Sequence, residues 1–304
     1  MDSLVGIYQP FYKPGMFERL DCGFIPLNLM SNPAPAKREL SLHQHILSER
    51  IYKRHNLTGM LSPKFFAKTN LSAQQVYDWI ASNPGHDIYL INGTPYVPYA
   101  NLNTIERNNG QAPTFEMQMR SLCRIIGLHL PELFPRQTNS STCSCNYWIA
   151  SQTFWERWQK DVILPLNEVA ERNPGRDYLF EIANYPAPAA VYKLTLIYER
   201  LIDHYTAHNQ IDAIYYPWTA ESVLALNYHP SIGDYLKKMV PCVDVIDAQG
   251  SWTETEKAWL RERYAAVSLG FAPAETLSAD PLDHDLPRRY PMRDNVLGRG
   301  LVSA

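Results

Sequence analysis

Two polar residues bracket an apolar run at residues 87–92 (DIYLIN), which has the pattern of a short buried strand. In open α/β sheets, a carboxylate or an amide at the carboxyl end of such a strand holds nucleotides or metal ions. Asn92 is therefore a predicted ligand-binding residue, and Asp87 is a candidate catalytic carboxylate. The structural alternative for Asp87 is that it completes the turn formed by the preceding Asn-Pro-Gly, residues 83–85.

Basic and aromatic residues follow two other apolar runs. Lys64 and Lys68 come after the Leu-Ser-Pro turn of residues 61–63, where their ammonium groups can neutralise a diphosphate. Tyr8 and Gln9 come after the first apolar run, where a ring can stack on a nucleobase and an amide can bind its edge. The alternatives are a solvated basic face for the lysines and a core-capping role for the tyrosine.

Acidic residues in the C-terminal part supply a weaker metal-site pattern. Asp283 and Asp285 form an Asp-x-Asp string, by which many glycosyltransferases hold a divalent cation between nucleotide phosphates. Carboxylate oxygens are suited to Mg²⁺ or Mn²⁺. The string lies in an irregular segment and not at a strand end, which favours a solvated charged loop instead. Asp244 and Asp247 form a similar pair with the same alternative.

Four common catalytic signatures are absent from the sequence. It has no Gly-x-Gly-x-x-Gly after the first apolar run, no phosphate-binding P-loop, no Gly-x-Ser-x-Gly and no His-Glu-x-x-His. The four mechanisms that depend on those motifs are therefore not expected. A catalytic site in this chain would have to be assembled from strand ends and loops.

The composition is that of a globular chain. Of 304 residues, 45% are hydrophobic and 19% are charged, and the net charge of -3 comes without a basic cluster of the kind that binds nucleic acid. The five cysteines lack the paired spacing of a zinc site, which indicates thiols in a reducing compartment. Because no signal peptide and no run of about 18 apolar residues occurs, we expect a cytoplasmic protein, with peripheral membrane association left open.

Hydrophobic periodicity and turn residues outline the elements that would position these side chains. Short strands are predicted within five segments, residues 4–8, 58–63, 87–92, 146–150 and 211–216, and residues 24–36 hold a further short apolar run closed by Asn32-Pro33. Capping boxes mark three helix starts, at Ser72 with Gln75, Thr153 with Glu156, and Thr253 with Glu256. Residues 93–113 predict a long polar connection. The alternation predicts a single α/β domain at residues 1–270 and an irregular extension at residues 271–304.

Several segments of the chain resemble a group of uncharacterised bacterial glycosyltransferase-like proteins found among polysaccharide-assembly genes. The resemblance covers residues 5–216. It rests on the segments IYQPFYKP, FIPLNLMSNPAP, GMLSPKFFAKTNLS, GHDIYLING, NYWIASQTFWERW and VYKLTLIYERLIDHY. The segment with Ser62, Lys64 and Lys68 and the strand ending at Asn92 are its most specific parts.

The resemblance implies a Rossmann-like, GT-A-type mixed sheet flanked by helices, with a nucleotide-sugar pocket beside the first strand. The residues that would line the donor pocket are Tyr8, Gln9, Asn28, Ser62, Lys64 and Lys68, with Asn92 near the diphosphate. Glu106 is a second candidate catalytic residue because loops such as residues 93–113 close over sites. Where typical members of that fold carry Asp-x-Asp, this chain has Asn92-Gly93-Thr94, so both Mg²⁺ or Mn²⁺ dependence and metal-independent action are open.

The function expected from this resemblance is transfer of a sugar from a nucleotide-activated donor to a saccharide or glycolipid acceptor in surface polysaccharide synthesis. Two alternatives stand beside it. One is a non-catalytic carbohydrate-binding or scaffolding component, which the missing strand-end Asp-x-Asp favours. The other is a transferase that uses another activated phosphate donor on the same scaffold.

Overall fold

Six short strands form one mixed sheet in a computed structural model that describes residues 4–31, 35–111, 114–172, 179, 181, 192–226, 228 and 230–268. The strands are β1 (Val5–Phe11), β2 (Ile25–Asn28), β3 (Leu57–Met60), β4 (Ile88–Leu90), β5 (Trp148–Ser151) and β6 (Ala213–Tyr215). Five of them overlap or lie in the segments predicted to be strands, and β2 lies in the apolar run of residues 24–36. The α/β class and the mixed sheet with flanking helices are therefore confirmed.

The order of the strands brings five carboxyl ends to one edge. The sheet runs β2-β1-β3-β5-β4-β6, and β1 pairs in parallel with β2 and β3, as β4 does with β6. Only β5 is antiparallel to its neighbours β3 and β4 in the described part of the chain. The amino end of β5 therefore meets the carboxyl ends of the other strands, and Trp148 pairs with Leu90. We call this side the carboxyl edge and the opposite side the amino edge.

Helices cover both faces of the sheet. They are α1 (Pro14–Phe17), α2 (Arg38–Ser48), α3 (Phe65–Thr69), α4 (Ala73–Ser82), α5 (Thr104–Gln111), α6 (Phe115–Ile125), α7 (Gln152–Trp158), α8 (Leu164–Arg172), α9 (Lys193–His208), α10 (Ala220–Leu224), α11 (Pro230–Ala248) and α12 (Glu254–Ser268). A π-helical turn, Gln159–Ile163, joins α7 to α8 just before Pro165, which has no N–H to donate to the preceding turn. No helix within the described residues is long and apolar enough to cross a membrane.

Alternating strand side chains divide the core between the two faces. Tyr8, Met60, Leu90 and Trp148 face α2, α6, α7, α8 and α9 in one buried cluster. Ile7, Tyr89 and Ile149 face the other way, where the buried side chains of α3 and α4 are Phe65, Val76, Trp79 and Ile80. A third cluster joins the residues around 99–102 to α10, α11 and α12. Because both faces of the sheet are packed, the sheet fixes the positions of the residues at its two edges.

Two of the three predicted capping boxes are present. Ser72 and Gln75 form a reciprocal box at the start of α4, and Thr253 donates its N–H to Glu256 at 2.7 Å ahead of α12. The box predicted at Thr153 is wrong. Helix α7 begins at Gln152, and Ser151 caps it by accepting a hydrogen bond from Phe154 N at 3.2 Å. Because β5 runs directly into the helix, its last residue reaches the free N–H groups first.

The prediction of a long connection at residues 93–113 is also wrong in part, because the segment contains α5. Asn103 Oδ1 accepts a hydrogen bond from Glu106 N at 2.8 Å in the first turn of that helix. Asn101, Asn103 and Asn108 are buried. Asn103, one of the asparagines that suggested a polar loop, therefore caps a helix.

Arg136 ties the third cluster to the rest of the fold. Its guanidinium donates to the carbonyls of Pro98 at 2.6 Å and Asn101 at 3.0 Å, and it pairs with the Asp247 carboxylate at 2.8 Å. The same group lies 5.0 Å from the ring centre of Trp252. Asp247 was a weak candidate for a metal ligand, and its carboxylate is occupied by Arg136 and the Trp252 indole instead.

We expect Arg136→Ala to lower the free energy of unfolding by about 3 kcal/mol, because it removes the ion-pair partner of the partly buried Asp247 carboxylate and the donor to several carbonyls. Lys237→Ala is the matched control, since it removes the exposed partner of Asp234 on α11 and is expected to cost no more than about 0.5 kcal/mol. Chemical denaturation of both variants measures the difference. Equal losses of unfolding free energy in the two variants would show that Arg136 does not hold the third cluster to the rest of the fold.

Candidate functional site

Polar side chains from three parts of the chain meet at the carboxyl edge. Ser62 Oγ lies 2.6 Å from Tyr147 Oη, and Lys68 Nζ lies 2.9 Å from Cys145 Sγ. Cys145 N donates to Glu199 Oε1 at 2.6 Å. The chain after β3 thus meets the segment before β5 and the middle of α9. We call Glu39, Ser62, Lys68, Cys145, Tyr147, Glu199 and Arg200 the strand-end cluster.

Arg200 and Glu39 join this cluster through charge. Arg200 Nη1 pairs with Glu199 Oε1 at 3.0 Å, and both side chains are largely buried. Glu39 lies in the first turn of α2, where the Glu199 carboxylate and Lys68 both act on its pKa. Glu39, Lys68 and Glu199 are half-buried residues.

The ionisation states of the cluster follow from burial and neighbouring charge. Burial, together with the Glu199 carboxylate, raises the pKa of Glu39. Burial also favours neutral Glu199, but Arg200 and Lys68 outweigh it and lower the pKa of that carboxyl. Burial opposes the charge on Lys68, yet Cys145, Tyr147 and Glu199 together hold its pKa well above the usual range. Lys68 is therefore cationic, Glu199 is anionic, and Glu39 is the carboxyl that binds a proton most readily.

Residues 142–147, which lead into β5, are held in a strained conformation. Cys145 and Asn146 have φ values of +67° and +51°, a region that side chains other than glycine seldom adopt. Two such residues in succession persist only where the surroundings fix them. Here Ser144 Oγ donates to Asn92 Oδ1 at 2.7 Å, and Cys143 N donates to Asp203 Oδ1 at 2.8 Å. Backbone strain next to a charged cluster marks this loop as the centre of the candidate site.

Hydrogen bonds from the Asn92 side chain hold that loop in place. Its side chain is 1% exposed, its Nδ2 donates to Asn139 Oδ1 at 2.8 Å, and its Oδ1 accepts from Thr94 N at 3.0 Å and from Ser144. The adjacent Gly93 has no room for a side chain, because a Cβ there would lie 2.7 Å from the Tyr147 ring. The side chain at the strand end that was predicted to touch a ligand therefore fixes the neighbouring loop.

Thr142 Oγ1 and Trp148 Nε1, in and next to the loop, lack hydrogen-bond partners among the described residues, and so do atoms of one amide and one guanidinium side chain. The last two are Asn146, which is 1% exposed and has neither amide atom paired, and Arg200, which is 6% exposed and has Nε unpaired. Such groups are rare in folded proteins because leaving them unpaired costs free energy. A polar ligand or water at this place would supply the missing partners.

The other predicted donor-pocket residues have mostly structural contacts. Tyr8 Oη lies 3.0 Å from Nε2 of His55, whose ring lies against Gly6 near the amino edge. Gln9 uses its amide to bind the Ser62 carbonyl at 3.0 Å and the backbone N–H of Asp21. Asn28 Oδ1 accepts from Met30 N. Lys64 precedes α3, one turn before Lys68. Only Ser62 and Lys68 belong to the strand-end cluster.

The predicted catalytic residues do not join it. Asp87 lies at the amino edge, where its Oδ1 accepts a hydrogen bond from Ser151, so the strand separates it from Asn92. The Glu106 carboxylate accepts two hydrogen bonds from Arg261 on α12, at 3.0 and 2.8 Å. Asp283 and Asp285 lie outside the described residues.

Sequence reasoning missed Glu39, Cys145, Tyr147, Glu199 and Arg200. One signal was available for the last two, since Glu199 and Arg200 interrupt a helix whose periodicity predicted burial. Charged residues on a buried helix require partners, and those partners point to a site. For Cys145 and Tyr147 no comparable signal exists, because the sequence before a strand has no pattern that distinguishes a site from an ordinary connection.

Within the described residues, no three His, Cys, Asp or Glu side chains are arranged to hold a metal ion. The carboxylates of the cluster are Glu39 and Glu199, and Glu199 is already paired. Divalent cations such as Mg²⁺ and Ca²⁺ require several oxygen ligands. The described residues of the cluster therefore do not fit a Mg²⁺ or Mn²⁺ site built from side chains alone.

The chain matches no protein-family model, and no curated protein or solved structure is significantly similar to it.

A buried carboxyl, Asp203, anchors the 142–147 loop to α9. Besides the bond from Cys143 N, it accepts weaker hydrogen bonds from Gln137 Nε2 and Tyr215 Oη, both at 3.4 Å. Burial raises its pKa to about 8, although these donors and Arg200 act in the opposite direction. The folded protein therefore holds Asp203 protonated at neutral pH.

The raised pKa of Asp203 predicts a specific pH dependence of stability. Its contribution is full below about pH 4, the unfolded pKa, and is lost as the pH rises through about 8, because the folded state must then bury an anion. Asp203→Asn keeps the neutral shape, and we expect it to flatten this part of the curve of unfolding midpoint against pH. A variant curve parallel to that of the wild type would refute the assignment.

Proposed function

We propose that the protein is a glycosyltransferase that moves a sugar from a nucleotide-activated donor to a saccharide or glycolipid acceptor at the strand-end cluster. The observation that carries this proposal is a partly exposed, protonated Lys68 at the carboxyl edge of five strands that run in the same direction. Open α/β sheets bind nucleotides at that edge. The mixed sheet with helices on both faces supports the GT-A-like arrangement that the resemblance implies.

The end of β1 also contributes to this proposed pocket. Tyr12 follows β1. Burial is the main cause that raises the pKa of its phenol, and the Glu39 carboxylate is the second. Tyr12 is therefore near Glu39, with a partly exposed ring. An aromatic ring at this place can stack on the nucleobase of the donor, a role that the sequence suggested for the residues following the first strand.

The cluster supplies the groups that sugar transfer requires. The acceptor hydroxyl oxygen forms a bond to the anomeric carbon, while the bond from that carbon to the donor phosphate oxygen breaks. The leaving diphosphate gains negative charge, which Lys68 and Arg200 stabilise. The hydroxyl proton passes to a carboxylate, and we assign this role to Glu39 because Glu199 is already held by Cys145 N–H and Arg200.

The carbohydrate-binding alternative has one observation in its favour. Asn92, which stands where the fold's Asp-x-Asp is expected, has all its amide contacts within the protein. A binding component would recognise an oligosaccharide and leave nucleotide sugars unchanged. Turnover of any nucleotide sugar separates the two functions.

We expect Lys68→Ala to weaken binding of the preferred nucleoside diphosphate about tenfold, because it removes one charge-assisted contact. A thermal-shift screen with UDP, GDP, dTDP and their sugar conjugates identifies the nucleotide, and calorimetry measures its affinity. Lys53→Ala is the matched control, since Lys53 is an exposed lysine paired with Glu156 outside the cluster. If Lys68→Ala and Lys53→Ala bound the nucleotide with equal affinity, Lys68 would not belong to the binding site.

We expect Glu39→Gln to slow turnover about 100-fold while leaving donor binding nearly unchanged, because it removes a general base. Slow hydrolysis of the donor, with water as acceptor, provides the assay when the natural acceptor is not known. The wild-type rate should rise with pH as Glu39 loses its proton, and this rise should be absent in Glu39→Gln. A variant that keeps the same pH profile would exclude Glu39 as the base.

A further inference from the structure

At the carboxyl end of β4, the side-chain oxygens of Asn92 and Thr94 already have hydrogen-bond partners among the described residues. Asn92 Oδ1 accepts two hydrogen bonds, Gly93 has no side chain, and Thr94 Oγ1 lies 2.7 Å from Ser144 Oγ. A metal bond in place of the contacts to Ser144 would remove hydrogen bonds that fix the 142–147 loop. The Asn-Gly-Thr that replaces Asp-x-Asp is therefore a structural element of the site.

The carboxylates of the cluster are also poorly placed for a divalent cation. Glu199 is bound by the Cys145 N–H and by Arg200, and the ammonium of Lys68 acts on it as well. A cation next to Glu199 would have to displace Arg200 and would be repelled by Lys68. Glu39 remains as a single carboxyl, and burial raises its pKa, which disfavours the anion that Mg²⁺ or Mn²⁺ would need as a ligand.

The same place holds fixed positive charge and unpaired donors. Lys68 and Arg200 both act on Glu199, so they flank one carboxylate. These two cations lie next to the Glu199 carboxylate and are the positive charges that a diphosphate would meet in the cluster. Arg200 Nε and Asn146 Nδ2 are buried and lack hydrogen-bond partners among the described residues. Phosphate oxygens accept hydrogen bonds from this type of donor set.

We propose that the strand-end cluster binds the donor diphosphate without a divalent cation, with Lys68 and Arg200 in the place that a metal ion has in Asp-x-Asp enzymes. This inference rests on the proposed function and adds the cofactor requirement. The two cations would neutralise the ground-state diphosphate and the extra charge that the leaving group gains. Binding should therefore be sensitive to salt and insensitive to chelators.

The test is calorimetric titration of the full chain with inorganic pyrophosphate and with the nucleoside diphosphate selected by the thermal-shift screen. Each titration is run in excess EDTA and again with Mn²⁺ or Mg²⁺. We expect equal affinities under the three conditions within about twofold, and a loss of about tenfold in Lys68→Ala and in Arg200→Lys. Arg200→Lys keeps the charge and the ion pair with Glu199, so near-UV circular dichroism can verify that it folds.

The outcomes separate this inference from the proposed function. Binding that requires Mn²⁺ or Mg²⁺ overturns the inference and leaves the glycosyltransferase proposal standing. If the metal requirement disappears in Asp283→Asn with Asp285→Asn, the C-terminal residues supply the ligands. No binding of any nucleotide or of pyrophosphate under any condition overturns both. Lys237→Ala, far from the cluster on α11, is the control for nonspecific charge effects.

Discussion

The buried amide of Asn92 holds together the two halves of the carboxyl edge. It lies at the end of a parallel strand, and its partners Asn139 and Ser144 belong to the chain that approaches the antiparallel strand β5. An unpaired amide at this depth would cost about 1 to 3 kcal/mol, so the network forms as a unit or not at all. Because β5 reverses direction between β3 and β4, this is the place where an incoming segment can contact both the sheet edge and α9.

The positions of the charged groups follow from that constraint. Once Asn92 and Asp203 fix the 142–147 loop, Cys145 presents its N–H to Glu199 and its thiol to Lys68. The left-handed conformation of Cys145 and Asn146 costs about 1 to 3 kcal/mol each, which the surrounding hydrogen bonds offset. The loop is thus prearranged before any ligand arrives. Prearranged donors and charges stabilise developing charge without reorganisation, which is the condition for electrostatic catalysis.

The sequence allowed prediction of the elements but not of the contacts between them. Five of the six strands and two capping boxes depend on residues within a few positions of each other, so local periodicity and turn chemistry reveal them. Ser62 and Lys68 were placed in the site because they follow a strand directly. Glu199 reaches Lys68 only through the packing of α9 on the sheet, which no local pattern encodes. Asn92 looked like a ligand-binding residue because a sequence does not show which polar groups find partners inside the fold.

Stability alone does not account for the Glu199 and Arg200 pair. A buried ion pair loses hydration that its mutual attraction seldom fully restores, and apolar residues of similar volume often serve as well or better. Arg200 Nε and both amide atoms of Asn146 also lack hydrogen-bond partners among the described residues. A phosphate ligand in contact with Arg200 Nε and Asn146 Nδ2 would accept hydrogen bonds from both. An ion pair that is not needed for stability is therefore best explained by a role in binding an anion.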